Sequence, residues 1–371
     1  MKIVARWCAA MILASVVLFA VSTVCVFAAS GVIWPLERPA IEATKPAQCV
    51  LLGIASAGER LVAVGEFGRI ILSDDFGVSW RQVPDVPVSV TLVAVSFATP
   101  QKGWAVGHYG VVLHSEDGGE TWGKQLDGEK AALLILEAAQ AKVDKCRSEC
   151  DGAEFELSNA KLFVEDGPDK PFLNLSFDNE NKGFIIGAYN LIFRTEDGGQ
   201  SWEPWLDHVD NPMGMHLYDI QPIEGGYIMV GEQGTLLRST DQGETFNSMT
   251  SPYVGSFFGA VSLSSQEVII YELQGNAFKS IDRGATWKSL DTGLMAVVTG
   301  AEVLRDGTLI LTGKTGDVLA SRDKGSTFKP VPVETPFSFT DLVQAANGDV
   351  VIVGTRGVKV ISRDTITANM Q

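Results

Sequence analysis

The stretch SEDGGETW, Ser115 to Trp122, sets an acid beside two glycines, a hydroxyl and a tryptophan. That combination could form a metal loop, a phosphate cradle or half of a catalytic carboxylate pair. It recurs, however. SDDFGVSW begins at Ser73, TEDGGQSW at Thr195, STDQGETF at Ser239, SIDRGATW at Ser280 and SRDKGSTF at Ser321, with a decayed SRDTIT at Ser362. Many chemical sites of one kind would be an odd design, whereas a turn needed once per structural unit must recur. The residue types suit such a turn. The carboxylates of Asp75, Asp117, Asp197, Asp241, Asp282 and Asp323 can accept bonds from backbone N–H groups of their own turns. Gly77, Gly119, Gly199, Gly243, Gly284 and Gly325 supply positive φ. Trp80, Trp122, Trp202 and Trp287 offer large rings for burial between units. The pattern is expected to be architecture rather than chemistry.

The elements that hold these turns follow from the spacing. Counting Asp364, the aspartates are separated by 42, 80, 44, 41, 41 and 41 residues. A second pattern precedes each box, as in VGEFGRIILS from Val64 and VGHYGVVLHS from Val106, with copies from Ile186, Val230, Tyr271, Thr312 and Val353. Apolar runs split by glycine-bracketed turns are hairpin signals. With an opening strand such as VTLVAVSF, each period holds four strands, which is a propeller blade. The expectation is an all-β fold, a seven-bladed β-propeller over 49–371 with a ring of Asp-box turns. The doubled step carries about 39 extra residues rich in Ala, Leu and Glu. It reads as a helical hairpin insertion over 129–166, on or beside the face of the GxxG turns and opposite the boxes. Leu133, Ile135, Leu136 and Phe163 either pack it onto the blades or leave it standing clear.

Candidate binding residues lie on that top face. The turn positions include Phe67, His108, Tyr109, Tyr189, Glu232, Gln233, Lys314 and Arg356, and an aromatic-rich loop adds Tyr253 and Phe257. Phe67, Tyr109 and Tyr189 fall on consecutive blades. They form a binding patch if exposed, or an internal contact if the insertion covers them.

The chain has 371 residues, a formal charge of −16 and a pI near 4.7. A nucleic-acid partner is not expected, because no Lys/Arg cluster is present to neutralise phosphates. Residues 1–28 read as a secretory signal with cleavage after Ala28, or as an uncleaved anchor, because Trp7 to Phe27 is long enough to span a bilayer. An extended segment over 29–48 follows. Either alternative delivers the propeller across the membrane, to the periplasm. Cys146 and Cys150 are a candidate disulfide in that compartment. The four histidines, His108, His114, His208 and His216, show no catalytic order or metal spacing, so no catalytic residue, metal or cofactor is expected. For the last blade, the outer strand is expected from the N-terminal GVIWPLER rather than from DTITAN.

The box resembles the Asp-box of BNR-repeat propellers, a group that includes sialidases. Joined seven times to the VGxxG pattern, it is similar to the photosystem II stability/assembly factor family of cyanobacteria and chloroplasts and its bacterial relatives, over about 49 to 364. The resemblance implies a lumenal factor that holds a membrane-protein precursor through an arginine-rich patch. Arg194 and Arg238 match the basic position before the box and Lys279 replaces it, whereas His114, Leu72, Ala320 and Ile361 do not continue it. By the same resemblance the bacterial relatives are often encoded beside RND-type inner-membrane exporters, and the acidic composition and insertion look more like that branch. The favoured reading is a non-catalytic exported propeller that scaffolds, assembles or gates a membrane complex, with an RND-type inner-membrane transporter as client. A photosystem II assembly factor is the alternative, with photosystem subunits as partners. A sialidase-like glycan hydrolase is the third reading, against which ERPAI at Glu37 to Ile41 is not the Arg-Ile-Pro segment of that group.

Overall fold

A computed structural model describes residues 34–294 and 296–370. Among them are six four-stranded antiparallel sheets and one three-stranded sheet, each with its strands adjacent in chain order. The first strands of the sheets are Leu51–Ala57, Leu92–Phe97, Phe172–Phe177, Leu217–Ile223, Phe257–Ser262, Val298–Val303 and Phe339–Gln344. Each contacts the next and the seventh contacts the first, so the ring closes around a central axis. The chain is a seven-bladed β-propeller.

Continuous apolar runs dominate the second strands because both faces of a blade are covered. Leu61, Val62, Ala63 and Val64 are all fully buried. The cores lie in the seams: Val62 and Leu72 of the first blade share a cluster with Leu92, Leu113 and Trp122 of the second.

The boxes are turns closed by hydrogen bonds of their own. In the first, the Ser73 hydroxyl donates to Asp75 Oδ1 at 2.8 Å and accepts from Gly77 N at 2.8 Å. Ser79 N donates to Asp75 Oδ1 and the Ser79 hydroxyl to Asp75 Oδ2. The same arrangement repeats around Asp117, Asp197, Asp241, Asp282 and Asp323. Bonds from the Thr286 hydroxyl and backbone hold the Asp282 carboxyl down at about 2. Its contribution is therefore present above the ordinary aspartate range and lost as pH falls through about 2. Asp282→Ala, which removes three accepted bonds, is expected to cost about 1–2 kcal/mol of stability in urea unfolding at pH 7, the exposure of the turn holding the value down.

Two expectations fail at the C-terminal end. Ser362 does not open a seventh box. It caps a short helix, Arg363–Asn369, with its hydroxyl accepting from Thr365 N at 3.2 Å. Ile366 stands where the other boxes place a glycine at φ of 83–92°, a conformation a β-branched residue resists, and it is buried instead. DTITAN is thus helical; of the N-terminal GVIWPLER only Trp34 to Arg38 are among the described residues, and these form no strand. Pro35 to Arg38 form a turn, with Pro35 O accepting from Ser89 N, and the last blade keeps three strands. The signal or anchor at 1–28 lies outside the described residues. Among the described residues no helix is long and apolar enough to cross a membrane.

The insertion is a helical hairpin of α1, Gly128–Lys145, and α2, Asp151–Glu165, with Cys146 bonded to Cys150 at the bend. Asp127 caps α1 through Lys130 N. Ile135 and Phe163 pack onto the seam between the second and third blades, Leu136 packs between the helices, and Leu133 is exposed.

Candidate functional site

The top-face turns bring their residues out in different ways. Phe67, Tyr109, Tyr189 and Gln233 have φ of 61°, 58°, 56° and 50°, the left-handed region that bulky side chains seldom occupy. Phe67 is 47% and Tyr189 56% exposed, whereas Tyr109 tucks against the core between the first two blades. No two of these three rings pair with each other among the described residues. His108, Lys314 and Arg356 are exposed, and Glu232 lies 3.7 Å from the His216 ring. Tyr253 is half-buried against Phe257 and Phe278.

Phe257 is not a surface residue. It is fully buried in the core of the fifth blade. A bulge between Phe257 and Gly259 places Phe258 in the outward position, and Phe258 is 38% exposed.

On the opposite side, two of the three basic residues before the boxes, Arg194 and Lys279, are paired with acids of nearby turns. Arg194 pairs with Glu196 at 2.5 Å and Glu244 at 2.9 Å, and its guanidinium lies over the Trp205 ring. Lys279 pairs with Glu267 at 3.2 Å. Arg238 donates to Arg283 O at 3.3 Å. Lys102–Glu180 and Lys324–Glu267 likewise cross from one blade to the next. Ion pairs thus lace this side together, with Arg238 held only by a backbone carbonyl among the described residues.

Two features went unread in the sequence. Around the axis, Asp219 accepts from Ala260 N at 2.7 Å and Asn174 Nδ2 at 2.9 Å, and Asp341 accepts from Ile54 N at 2.9 Å, so each carboxylate ties its blade to the next. Burial raises Asp219 to about 6 and Asp341 to about 7, with Glu302 also near 7. The third residue of each first strand is Gly53, Ala94, Asn174, Asp219, Gly259, Gly300 or Asp341, so the polar exceptions stand out once the repeats are superposed.

The second feature is a groove of about 470 Å³ between the helical hairpin and the tops of the third and fourth blades. Ile135, Ala138, Phe163 and Leu206 give it an apolar lining, and Tyr189 stands at its side. Lys142 pins the hairpin there, reaching Glu156 of α2 and Asp207 of the propeller at 2.7 Å each.

Similarity to known proteins agrees with this architecture. The family described as Photosynthesis system II assembly factor YCF48 matches over 56–143 and 158–362, leaving out the tip of the hairpin. A photosystem II assembly lipoprotein Ycf48 from Synechococcus sp. (strain RCC307) is 39% identical over 46 residues, which are 12% of this chain and 13% of that protein. Among solved structures, YCF48 bound to D1 peptide aligns with a TM-score of 0.61 at 16% identity, covering 87% of this chain and 98% of that one. A GH74 enzyme from Niastella koreensis aligns with the same TM-score at 13% identity, covering 85% of this chain and 52% of that one. At such identities the structural likeness shows the fold alone, and a propeller is shared by binders and hydrolases alike.

Proposed function

This chain belongs to the photosynthesis system II assembly factor YCF48 family, and from that membership we propose that it is a non-catalytic propeller that holds a membrane-protein client during assembly. The observation that carries the reading is the match on both sides of the hairpin tip, joined to boxes whose carboxylates are each occupied by bonds inside their own turns. Carboxylates spent in this way are poorly placed for acid–base work. Of the clients considered, a photosystem II subunit takes precedence over an RND-type transporter, because the family match and a relative recorded with a D1 peptide support the former and no comparison supports the latter. An exported location, in the periplasm or lumen, belongs to the same proposal, with the N-terminal stretch as its signal or anchor.

The test is crosslink-stabilised affinity purification of the tagged full-length protein from native membranes, with mass spectrometry of what co-purifies. Photosystem II subunits are expected. Recovery of an RND-type transporter instead would overturn the choice of client. Glycan binding with no membrane protein recovered would overturn the assembly reading itself and favour the hydrolase.

A further inference from the structure

The groove under the hairpin has a chemistry of its own. Its floor is apolar, yet its charged lining is unbalanced: the three carboxylates of Glu156, Glu203 and Asp207 line it against the single ammonium of Lys142. Lys142 is already shared by Glu156 and Asp207, and Glu203 is exposed with no ion pair among the described residues. Tyr189 of the lining is 56% exposed, and Met213, between the lining residues Pro212 and Gly214 in the chain, is 76% exposed. Isolated exposed apolar residues need no explanation, but two beside an apolar cleft of this size mark a contact surface. The cleft has room for roughly two or three large side chains, and it is open along the hairpin rather than enclosed.

We propose that this groove takes a short client polypeptide segment that carries apolar side chains next to Lys or Arg. The inference rests on the client-holding function above and names the chemistry of the segment held. Apolar side chains pack against the hairpin wall formed by Ile135, Ala138 and Phe163, while the cationic groups meet Glu203 and the acidic rim. The formal charge of −16 draws such a segment in and repels an acidic one. The hairpin, closed at its tip by Cys146–Cys150 and pinned by Lys142, holds one wall of the groove in place.

The probes are two short labelled peptides, one alternating leucine with lysine and one alternating leucine with glutamate, titrated by fluorescence anisotropy against the purified protein. Ala138→Trp fills the groove from α1, and Glu203→Lys reverses its unpaired charge. The lysine peptide is expected to bind and the glutamate peptide not. Ala138→Trp is expected to weaken binding at least about tenfold and Glu203→Lys about threefold. Glu203 lies on an exposed outer strand, so its variant reports even if Ala138→Trp disturbs the hairpin, which circular dichroism would show. Equal binding of the two peptides, no binding of either, or wild-type affinity in Glu203→Lys together with a folded Ala138→Trp would overturn the proposal. Because the measurement uses purified protein, it can fail while clients are still recovered from membranes.

Discussion

Trp104→Ala is expected to destabilise the propeller by about 3–5 kcal/mol, read as a lower denaturant midpoint. Trp104 lies on the second strand of the second blade with none of its surface exposed, and it is a bridge rather than a filler. Its ring stacks on Phe177 of the third blade with centroids 3.7 Å apart and planes 9° apart, and His114 covers the other face at 4.8 Å. Its indole N–H donates to Gly198 O, in the box of the third blade. Truncation therefore opens a cavity in the seam and cuts one of the links between two blades. The same seam receives Ile135 and Phe163 of the insertion, so the hairpin should loosen with it and become more sensitive to protease. Trp287, at a box, is only half-buried, and its truncation should cost less. A Trp104→Ala midpoint no lower than that of Trp287→Ala would show that the seam is not held by this stack.

That contrast also shows what the sequence could and could not disclose. The period, the boxes and the length of the insertion are local patterns, and the structure keeps them: six boxes share one set of bonds, and the doubled step is a two-helix hairpin beside the His108–Gly110 turn. Phe257 was legible only by comparing repeats. Every first strand opens with a residue that is fully buried, from Leu51 and Leu92 to Phe339, and the bulge after it reverses the alternation on which a simple inside–outside reading relies. Ring closure was not legible, because the chain ends offered two strand-length segments, the apolar GVIWPLER and the polar DTITAN, and among the described residues neither forms a strand. The groove was hidden for another reason. It joins Ala138 and Phe163 of the insertion to Tyr189 and Leu206 of the propeller, a contact that depends on how the hairpin leans. The basic positions before the boxes were visible, but their partners come from elsewhere in the fold, as Glu244 pairs with Arg194 across 50 residues and Arg283 O accepts from Arg238.

Closure without a shared outer strand puts weight on the inner strands, and there Asp341 is expected to set a pH dependence. Its Oδ2 accepts from Ile54 N of the first blade, its Oδ1 accepts from Leu342 N at 2.8 Å, and Thr340 beside it donates to Leu51 O at 2.9 Å. Asp341→Ala leaves the Ile54 N–H without its partner at the one seam that joins the ends of the chain, at a cost of about 2–3 kcal/mol. Burial, reinforced by the charge of Asp219, raises the Asp341 carboxyl to about 7, and Glu302 and Tyr271 face the same charge. A carboxyl raised in the fold binds its proton more tightly there than in the unfolded chain. Its favourable contribution is complete below about pH 4 and is lost as pH rises through about 7. Asp219, raised to about 6, acts in the same direction. Wild-type stability is thus expected to fall between pH 5 and pH 8.5. Asp341→Asn, which carries no charge and matches the protonated carboxyl in shape and in its single strong acceptor, should start within about 1 kcal/mol of the wild type at pH 5 and decline less steeply. Asp341 keeps partial solvent contact, so the difference in decline should be about 1–2 kcal/mol, less than a rise to about 7 would give in a fully dry site. Parallel declines of the two proteins in urea unfolding across that range would show that Asp341 stays ionised at the seam and that closure is insensitive to its proton.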